Sequence, residues 1–324
     1  MRDVRPATVR AGIRHDDGRL TLVGTGRQIS AGHLTLPSLA ELRLATVALP
    51  TVAATFPKLT EVVANVTNLH TAPENRNALF QVASQFNLLE MVSPEVTPED
   101  GIARYGGDAT QGPACAMACA GGTIYRNYLV PLGDQIGQSR DRQIDCLADL
   151  GAALGNHANA FWSMRNGYAL AQRRGLAALN ARLHHLDRPA RDALMGQLRI
   201  GVQAGTEVTA NRAGHLVTQA FCSALPVAYC DASDREWEPF ARLVLEASYE
   251  ACLLAAAANL AAQGSPVVYL TLLGGGAFGN RMEWIFDALA RAIDLPAARG
   301  LDLRIVSHGQ PSPLVARFIA SFPR

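Results

Sequence analysis

Short apolar runs separated by polar or glycine-rich turns dominate the hydrophobic pattern of the first two thirds of the chain. Residues 60–66 (TEVVANV) and 78–84 (ALFQVAS) are compact runs of this kind, typical of strands covered on both faces, as in parallel sheets. Residues 19–36 predict a hairpin or meander broken by glycines. Residues 199–207 and 215–229 predict two further strands joined by a turn.

The last third of the chain has longer periodic segments. Residues 237–263 predict a long helix, which is followed by a buried strand at 267–273, a glycine-rich loop, a helix at 282–293 and a strand at 301–307. Two parallel strands joined by a helical crossover form a βαβ unit. Residues 141–197 have helical composition with interruptions, so this region predicts a helical insertion.

Composition narrows the functional classes. The chain has 324 residues, 49% of them hydrophobic, and a formal net charge of only +1. Sequence-specific nucleic-acid binding is not expected, because it usually requires a strongly basic face, and neither is a membrane anchor. The basic N-terminus lacks a following apolar stretch, so no signal peptide is expected and the predicted location is cytoplasmic.

The cysteines do not predict a metal site. Six are present, and none forms a CxxC pair or a Cys/His cluster with zinc spacing. Buried thiols of the core are the simpler interpretation.

The glycine loop after the strand at 267–273 is the most informative motif. It consists of Gly274, Gly275, Gly276, Ala277, Phe278, Gly279 and Asn280. Backbone N–H groups between a strand and the start of a helix suit phosphate, and glycines let the backbone approach an anion closely. The loop lacks G-K-[ST], so it is not a P-loop. A tight turn without a ligand is the alternative.

Polar side chains occur at two further places: directly after the strand at 78–84, and at the end of a long loop at 93–111. Gln85 and Asn87 carry amides that can hydrogen-bond ribose hydroxyls. A loop this long inside a compact domain is more often functional. The segment 105–113 (YGGDATQGP) supplies glycines, a carboxylate, a hydroxyl and an amide before a predicted helix. The members of interest there are Asp108, Thr110, Gln111 and Gly112.

Together these motifs resemble the macrodomain family, which binds ADP-ribose. Asn65-Val66 stands where the family has an Asp-Ile pair, and residues 83–87 look like its N-A-A-N element. Residues 276–279 (GAFG) match its second phosphate loop. The resemblance covers roughly residues 60–111 and 199–307. The Asp of the pair is replaced here by Asn65, and the first loop lacks the family's G-G-G-V-D-G run.

The resemblance implies a three-layer α/β/α fold, with helices on both faces of a mixed, mostly parallel central sheet. It divides the chain into an N-terminal β-rich extension, residues 1–59, and a macrodomain-like domain, residues 60–324. The ligand would be ADP-ribose, with no further cofactor. Asn87 would bind the distal ribose, residues 275–279 would wrap the diphosphate, and Asn65 with His308 would lie near adenine.

The implied activity is hydrolysis of an ADP-ribosyl linkage to protein or nucleic acid. Such an enzyme holds the diphosphate, orients the ribose and positions a water. Asp108 is the candidate to orient or deprotonate that water, because it is the only carboxylate inside the first loop. Glu90 is the second candidate. Two other functions stay open: a non-catalytic reader of ADP-ribose and a nicotinamide-dependent Rossmann oxidoreductase.

Overall fold

The computed structural model describes residues 5–49, 55–108 and 110–322. The strands are β1 (Ile13–Asp16), β2 (Arg19–Leu22), β3 (Gln28–Ser30), β4 (His33–Thr35), β5 (Lys58–Val63), β6 (Leu79–Ala83), β7 (Pro131–Leu132), β8 (Gln135–Ile136), β9 (Trp162–Arg165), β10 (Tyr168–Ala171), β11 (Gly201–Glu207), β12 (Leu216–Cys222), β13 (Val267–Leu270) and β14 (Asp302–Ser307). The helices are α1 (Pro6–Gly12), α2 (Leu39–Val47), α3 (Val66–Thr71), α4 (Gln111–Ala118), α5 (Ala120–Ile124), α6 (Ala148–Leu154), α7 (Arg173–His184), α8 (Arg188–Met195), α9 (Asp234–Gln263), α10 (Met282–Ile293) and α11 (Pro313–Ala320).

Seven strands form the central sheet in the order β4-β11-β12-β6-β13-β14-β5. The five strands from β12 to β5 run parallel, whereas β11 is antiparallel to both of its neighbours. The predicted mixed, mostly parallel sheet is therefore confirmed, as is the βαβ unit formed by β13, α10 and β14. Strand β4 comes from the region predicted as an N-terminal extension, so that region supplies an edge strand of the sheet.

Helices cover both faces of this sheet. On one face His70 of α3 stacks on Phe80 of β6, with ring centroids 3.7 Å apart. On the other face α9 packs against β12 and β6, and α10 packs against α9. Strand β6 lies between these layers, and its first four residues are buried.

Helix α9 is the longest element, and its ends follow from local sequence. Ser233 and Glu236 form a capping box at its start, and Gly264 ends it in the left-handed conformation at φ +79°. The predicted helix at 237–263 is confirmed and begins three residues earlier. By length and composition α9 could cross a membrane, but 78% of its most apolar window is buried inside the protein.

The prediction of a helical insertion is partly wrong. Residues 141–197 contain α6, α7 and α8, but β9 and β10 form an antiparallel hairpin between them. Asn166 and Gly167 at its turn have φ of +47° and +81°. An Asn-Gly pair with positive φ at both positions is a strong hairpin signal, and the composition of the surrounding sequence obscured it.

Candidate functional site

The glycine loop spans the gap between β13 and α10. Gly275, Gly279 and Asn280 donate their backbone N–H groups within the loop, to Leu272, Gly276 and Gly274. Gly274 has φ +74°, and a Cβ atom there would overlap the side chains of Ala224 and Asn280. This turn therefore requires glycine at position 274.

The outer side of the same loop is open. A Cβ atom on Gly276 would meet no atom within 4 Å. The N–H groups of Gly276, Ala277 and Phe278 have no acceptor within the described ranges. Three consecutive backbone N–H groups of the loop are therefore available to a ligand.

Asn280 does not belong to that open side. It is 4% exposed, and its Nδ2 donates to the Leu225 carbonyl oxygen at 2.8 Å and to that of Gly274 at 3.4 Å. The prediction that Asn280 contacts the ligand is therefore wrong, since its side chain closes the loop from inside. Gly275 and Gly279 likewise lie outside the cleft lining.

A cleft of about 440 Å³ connects this loop with the ends of β6 and α4. Nine of the predicted site residues line it: Gln85, Asp108, Thr110, Gln111, Gly112, Gly274, Gly276, Ala277 and Phe278. A second cavity of about 610 Å³ shares Thr110 and Gln111 with the cleft and contains Asn65, Val66 and His308. The two are therefore neighbours at the carboxyl ends of the parallel strands, where α/β proteins bind ligands.

Helix α4 is fixed directly against the end of β6. Gln111 Nε2 donates to the Gln81 carbonyl oxygen at 2.8 Å, and its Oε1 accepts from Ala83 N at 2.9 Å. A Cβ atom on Gly112 would overlap the Ala83 carbonyl oxygen. The Gln111 amide is thus already engaged within the protein, and Gly112 allows the close contact between helix and strand.

Asn87 lies away from the cleft, contrary to prediction. Its side chain is fully buried. Its Nδ2 donates to Gln143 Oε1 at 2.8 Å, and its Oδ1 accepts from Leu89 N at 3.1 Å. Gly167 of the β9–β10 turn packs directly on this amide. Asn87 therefore joins the hairpin to the loop after β6, and it does not face a sugar.

Gln85 lines the cleft, but its amide is also satisfied internally. Gln85 Oε1 accepts from Met91 N at 2.8 Å, and its Nε2 donates to the Met91 carbonyl oxygen at 3.2 Å. This pair of bonds closes the loop of residues 85–91. Glu90 belongs to this closed loop and lines the cleft.

Glu90 is the carboxyl group that the closed loop delivers to the site. It is 3% exposed, and both carboxylate oxygens lack a hydrogen-bond partner among the described residues. Burial raises the pKa of Glu90 to about 8, against the opposing effects of the Arg126 guanidinium and the Tyr105 hydroxyl. Glu90 also lines an adjoining cavity of about 420 Å³, so it stands between two spaces.

Asp108, the first catalytic candidate from the sequence, lines the cleft but is partly engaged. Its Oδ1 accepts from Thr110 N at 2.9 Å and from Thr110 Oγ1 at 2.6 Å. Such a bond pattern shapes the loop before α4. Residue Ala109 between them lies outside the described residues.

Three aromatic rings also line the cleft. The Phe278 ring lies 5.3 Å from that of Tyr168 and 5.8 Å from that of Tyr229. The Tyr168 hydroxyl donates to the Met91 carbonyl oxygen at 2.6 Å. Sequence reasoning missed Tyr168 because it lies on β10, in the hairpin that was not predicted.

The second cavity begins at the cap of α3. Asn65 Oδ1 accepts from Thr67 N at 2.8 Å, which caps the helix. Its Nδ2 makes no hydrogen bond to any residue of the described ranges. Val66 is 6% exposed and supports the floor. Across the part of the chain that the structure describes, no group of three His, Cys, Asp or Glu side chains could hold a metal ion.

Comparisons with known proteins give distant likenesses. No family model matches the chain, and no curated protein does. Poly(ADP-ribose) glycohydrolase from Thermomonospora curvata is 14% identical, with 98% of this chain and 97% of that chain covered and a TM-score of 0.47. The enzyme from Deinococcus radiodurans in complex with ADP-ribose is 13% identical, with coverages of 88% and 92% and a TM-score of 0.47. At such low values, the functional interpretation depends on the cleft residues alone.

Proposed function

We propose that this chain binds an ADP-ribosyl group and hydrolyses its linkage at C1″ of the distal ribose. The observation that carries the proposal is the position of Glu90. A buried carboxyl group shares a cleft with three backbone amides, and none of these groups has a hydrogen-bond partner among the residues that the structure describes. The amides suit a diphosphate, and the carboxyl group suits proton transfer at the attached sugar.

The diphosphate would lie against the N–H groups of Gly276, Ala277 and Phe278. The three residues line the cleft ahead of α10, and a helix start adds a partial positive charge. The distal ribose would pack on Phe278 and Tyr168 and approach Glu90. The nucleoside would extend into the second cavity beside Asn65.

Glu90 supplies the chemistry in this arrangement. With a pKa of about 8 it is protonated near neutral pH, as a general acid must be. It donates its proton to the leaving-group oxygen on C1″ while the C1″–O bond breaks and an oxocarbenium-like centre forms. The resulting carboxylate then takes a proton from the water that attacks C1″, which restores the acid and yields ADP-ribose and the free acceptor.

The acceptor would leave through the cavity on the far side of Glu90. That cavity and the cleft share Glu90, Met91, Val92 and Asp108. We propose that the acceptor belongs to an ADP-ribosylated protein or nucleic acid. Asp108 keeps one carboxylate oxygen free of the Thr110 bonds, so it remains a candidate to orient the water.

Binding can be tested at Gly276, where a larger side chain enters open space and leaves the fold intact. Calorimetry should show that the wild type binds ADP-ribose at least about tenfold more tightly than AMP. Gly276→Glu should abolish binding, because its carboxylate would occupy the phosphate path, and Gly276→Ala should bind with little change. Full affinity in Gly276→Glu would place the diphosphate elsewhere.

Turnover separates an enzyme from a non-catalytic reader that uses the same cleft. Glu90→Gln should retain ADP-ribose binding and slow release of ADP-ribose from a modified protein by about 100-fold or more. Asp108→Ala should reduce the rate less, since part of its role is to shape the loop. An unchanged rate in Glu90→Gln would remove Glu90 from the mechanism, and no turnover by the wild type would favour the reader.

A further inference from the structure

Arg126 is the second unusual charged residue behind the cleft. It lies in the π-helical turn Tyr125–Leu129 and is fully buried. Its Nε donates to the Leu88 carbonyl oxygen at 3.1 Å, and its Nη2 donates to Thr123 Oγ1 at 3.3 Å. Its guanidinium carbon lies 3.7 Å from the centre of the Phe221 ring.

Burial of the Arg126 guanidinium without a charged partner costs free energy. Arginine stays charged in proteins, and a buried charge is expensive unless it is paired. No carboxylate of the described residues lies within ion-pair distance of Arg126. Its Nη1 has no hydrogen-bond partner among those same residues, and neither do the two carboxylate oxygens of Glu90.

The cation and the acid are joined through a short segment of backbone. Arg126 holds the carbonyl of Leu88, two residues before Glu90, while the Tyr105 hydroxyl accepts from Glu90 N at 2.9 Å. A fixed positive charge is thus built against the segment that carries the acid. A group placed there stabilises Glu90 only in its ionised form.

We propose that Arg126 is a positioning residue that stabilises the Glu90 carboxylate formed when the acid gives up its proton. The role rests on the proposed function of Glu90. Because the cation is fixed before the reaction, no reorganisation is needed as the negative charge develops. Arg126 itself does not line the cleft, so it acts through Glu90.

The other groups around Glu90 are neutral or lie at the edge of the cleft, although the Tyr105 hydroxyl, like Arg126, lowers the pKa of Glu90. Tyr105 and Cys115 are buried beside it, and burial raises the pKa of each, so both stay neutral. Asp108 shares its cleft, and Arg104, which is 57% exposed, lines the adjoining cavity. Arg126 is therefore the only fully buried cation that faces Glu90 in the described part of the chain.

The sign of the effect follows from simple electrostatics. Burial raises the pKa of Glu90, and the charge of Arg126 lowers it. Removal of that charge should therefore raise the pKa of Glu90 further, by about one unit or more. The acid would then hold its proton more strongly and release it less readily to the leaving group.

The test is an NMR titration of the Glu90 carboxyl carbon in the free protein, with glutamate labelled with ¹³C. Arg126→Met should raise the pKa of Glu90 by about one unit or more, and Arg126→Lys should restore most of the difference. Arg182→Met is the control for loss of an arginine over an aromatic ring, because Arg182 lies over the ring of Phe161 but is exposed; it should leave the pKa of Glu90 unchanged. An unchanged pKa in folded Arg126→Met would overturn the proposal.

A second measurement needs no substitution at Arg126. In the wild type, the guanidinium resonances of Arg126 should shift as Glu90 titrates, and this shift should vanish in Glu90→Gln. Resonances that stay flat through that titration would equally overturn the proposal. Both measurements are made without substrate, so they remain decisive even if the chain proves to have no hydrolase activity.

Kinetics distinguish this role from a purely structural one. In a folded Arg126→Met enzyme, kcat at neutral pH should fall about tenfold or more, KM should change little, and the alkaline limb of the pH–rate profile should move to higher pH. A structural defect would lower kcat and leave the limb in place, which would contradict the assigned role.

Discussion

The state of Glu90 makes a direct prediction about stability. Its pKa is about 8 in the folded protein because of burial, and its ordinary value is 4.5. Between these two pH values the folded state holds a proton that the unfolded state has lost. The free energy of unfolding therefore decreases as pH rises from 4.5 to 8, and this contribution to stability is fully present only below pH 4.5.

The magnitude follows from the difference between the two values. Each pKa unit corresponds to about 1.4 kcal/mol, so the whole window is worth roughly 5 kcal/mol at this fully buried site. Glu90→Gln removes the titrating group and keeps the shape. The variant should therefore gain stability over the wild type, by about 1.4 kcal/mol at pH 5.5 and about 4 kcal/mol at pH 7.5.

Urea unfolding at pH 5.5 and pH 7.5, monitored by tryptophan fluorescence, measures the stability difference between Glu90→Gln and the wild type if both proteins have the same m-value. Glu74→Gln is a suitable control, because Glu74 is exposed and its replacement should change stability by less than about 0.5 kcal/mol at both pH values. A stability gain in Glu90→Gln that stays constant with pH would show that Glu90 is ionised in the folded protein, and the acid role would fail.

Three further predictions concern residues that hold the site in place. Gly112→Ala should destabilise the protein by about 2 kcal/mol or more in thermal unfolding, because the new Cβ would overlap the Ala83 carbonyl oxygen. The control Gly107→Ala should be nearly neutral, because its Cβ would meet no atom within 4 Å. Equal losses of stability in the two variants would contradict the close contact at Gly112. Burial lowers the pKa of His70 to about 4, so its contribution to stability should be present above pH 6.5 and lost as pH falls toward 4. His70→Gln should weaken this loss of stability in urea titrations at acid pH. The same dependence of stability on pH in the variant and the wild type would refute the role of His70. Glu250→Ala should cost roughly 3 kcal/mol, because two arginines of α2 and α10 lose their shared, buried carboxylate; a loss below about 1 kcal/mol by chemical denaturation would show that solvent replaces it.

The glycine loop and the central sheet could be predicted because their signals are local. Strand β13, the glycines after it and helix α10 are contiguous in sequence, and parallel strands read as short apolar runs. Glycine at position 112 is also consistent with the close approach of α4 to β6. These features depend on backbone conformation, which nearby residues largely determine.

The side-chain assignments failed where the bonding partner is distant in sequence. Asn87 and Asn280 were both predicted to face the ligand, but Gln143 and the Leu225 carbonyl occupy their amides. The sequence around an Asn residue does not show which partner its side-chain amide will bind. The sequence makes Glu90 only the second candidate, because nothing near it shows that its buried carboxyl group has no partner among the described residues.

The central claim is that one cleft holds the diphosphate on the glycine loop and the distal ribose at Glu90. A crystal structure of the Glu90→Gln variant with ADP-ribose bound would test it most directly. We expect phosphate oxygens within hydrogen-bond distance of the Gly276, Ala277 and Phe278 amides, with C1″ next to the side chain at position 90. A nucleotide bound outside this cleft, or bound with its distal ribose pointing away from position 90, would contradict it.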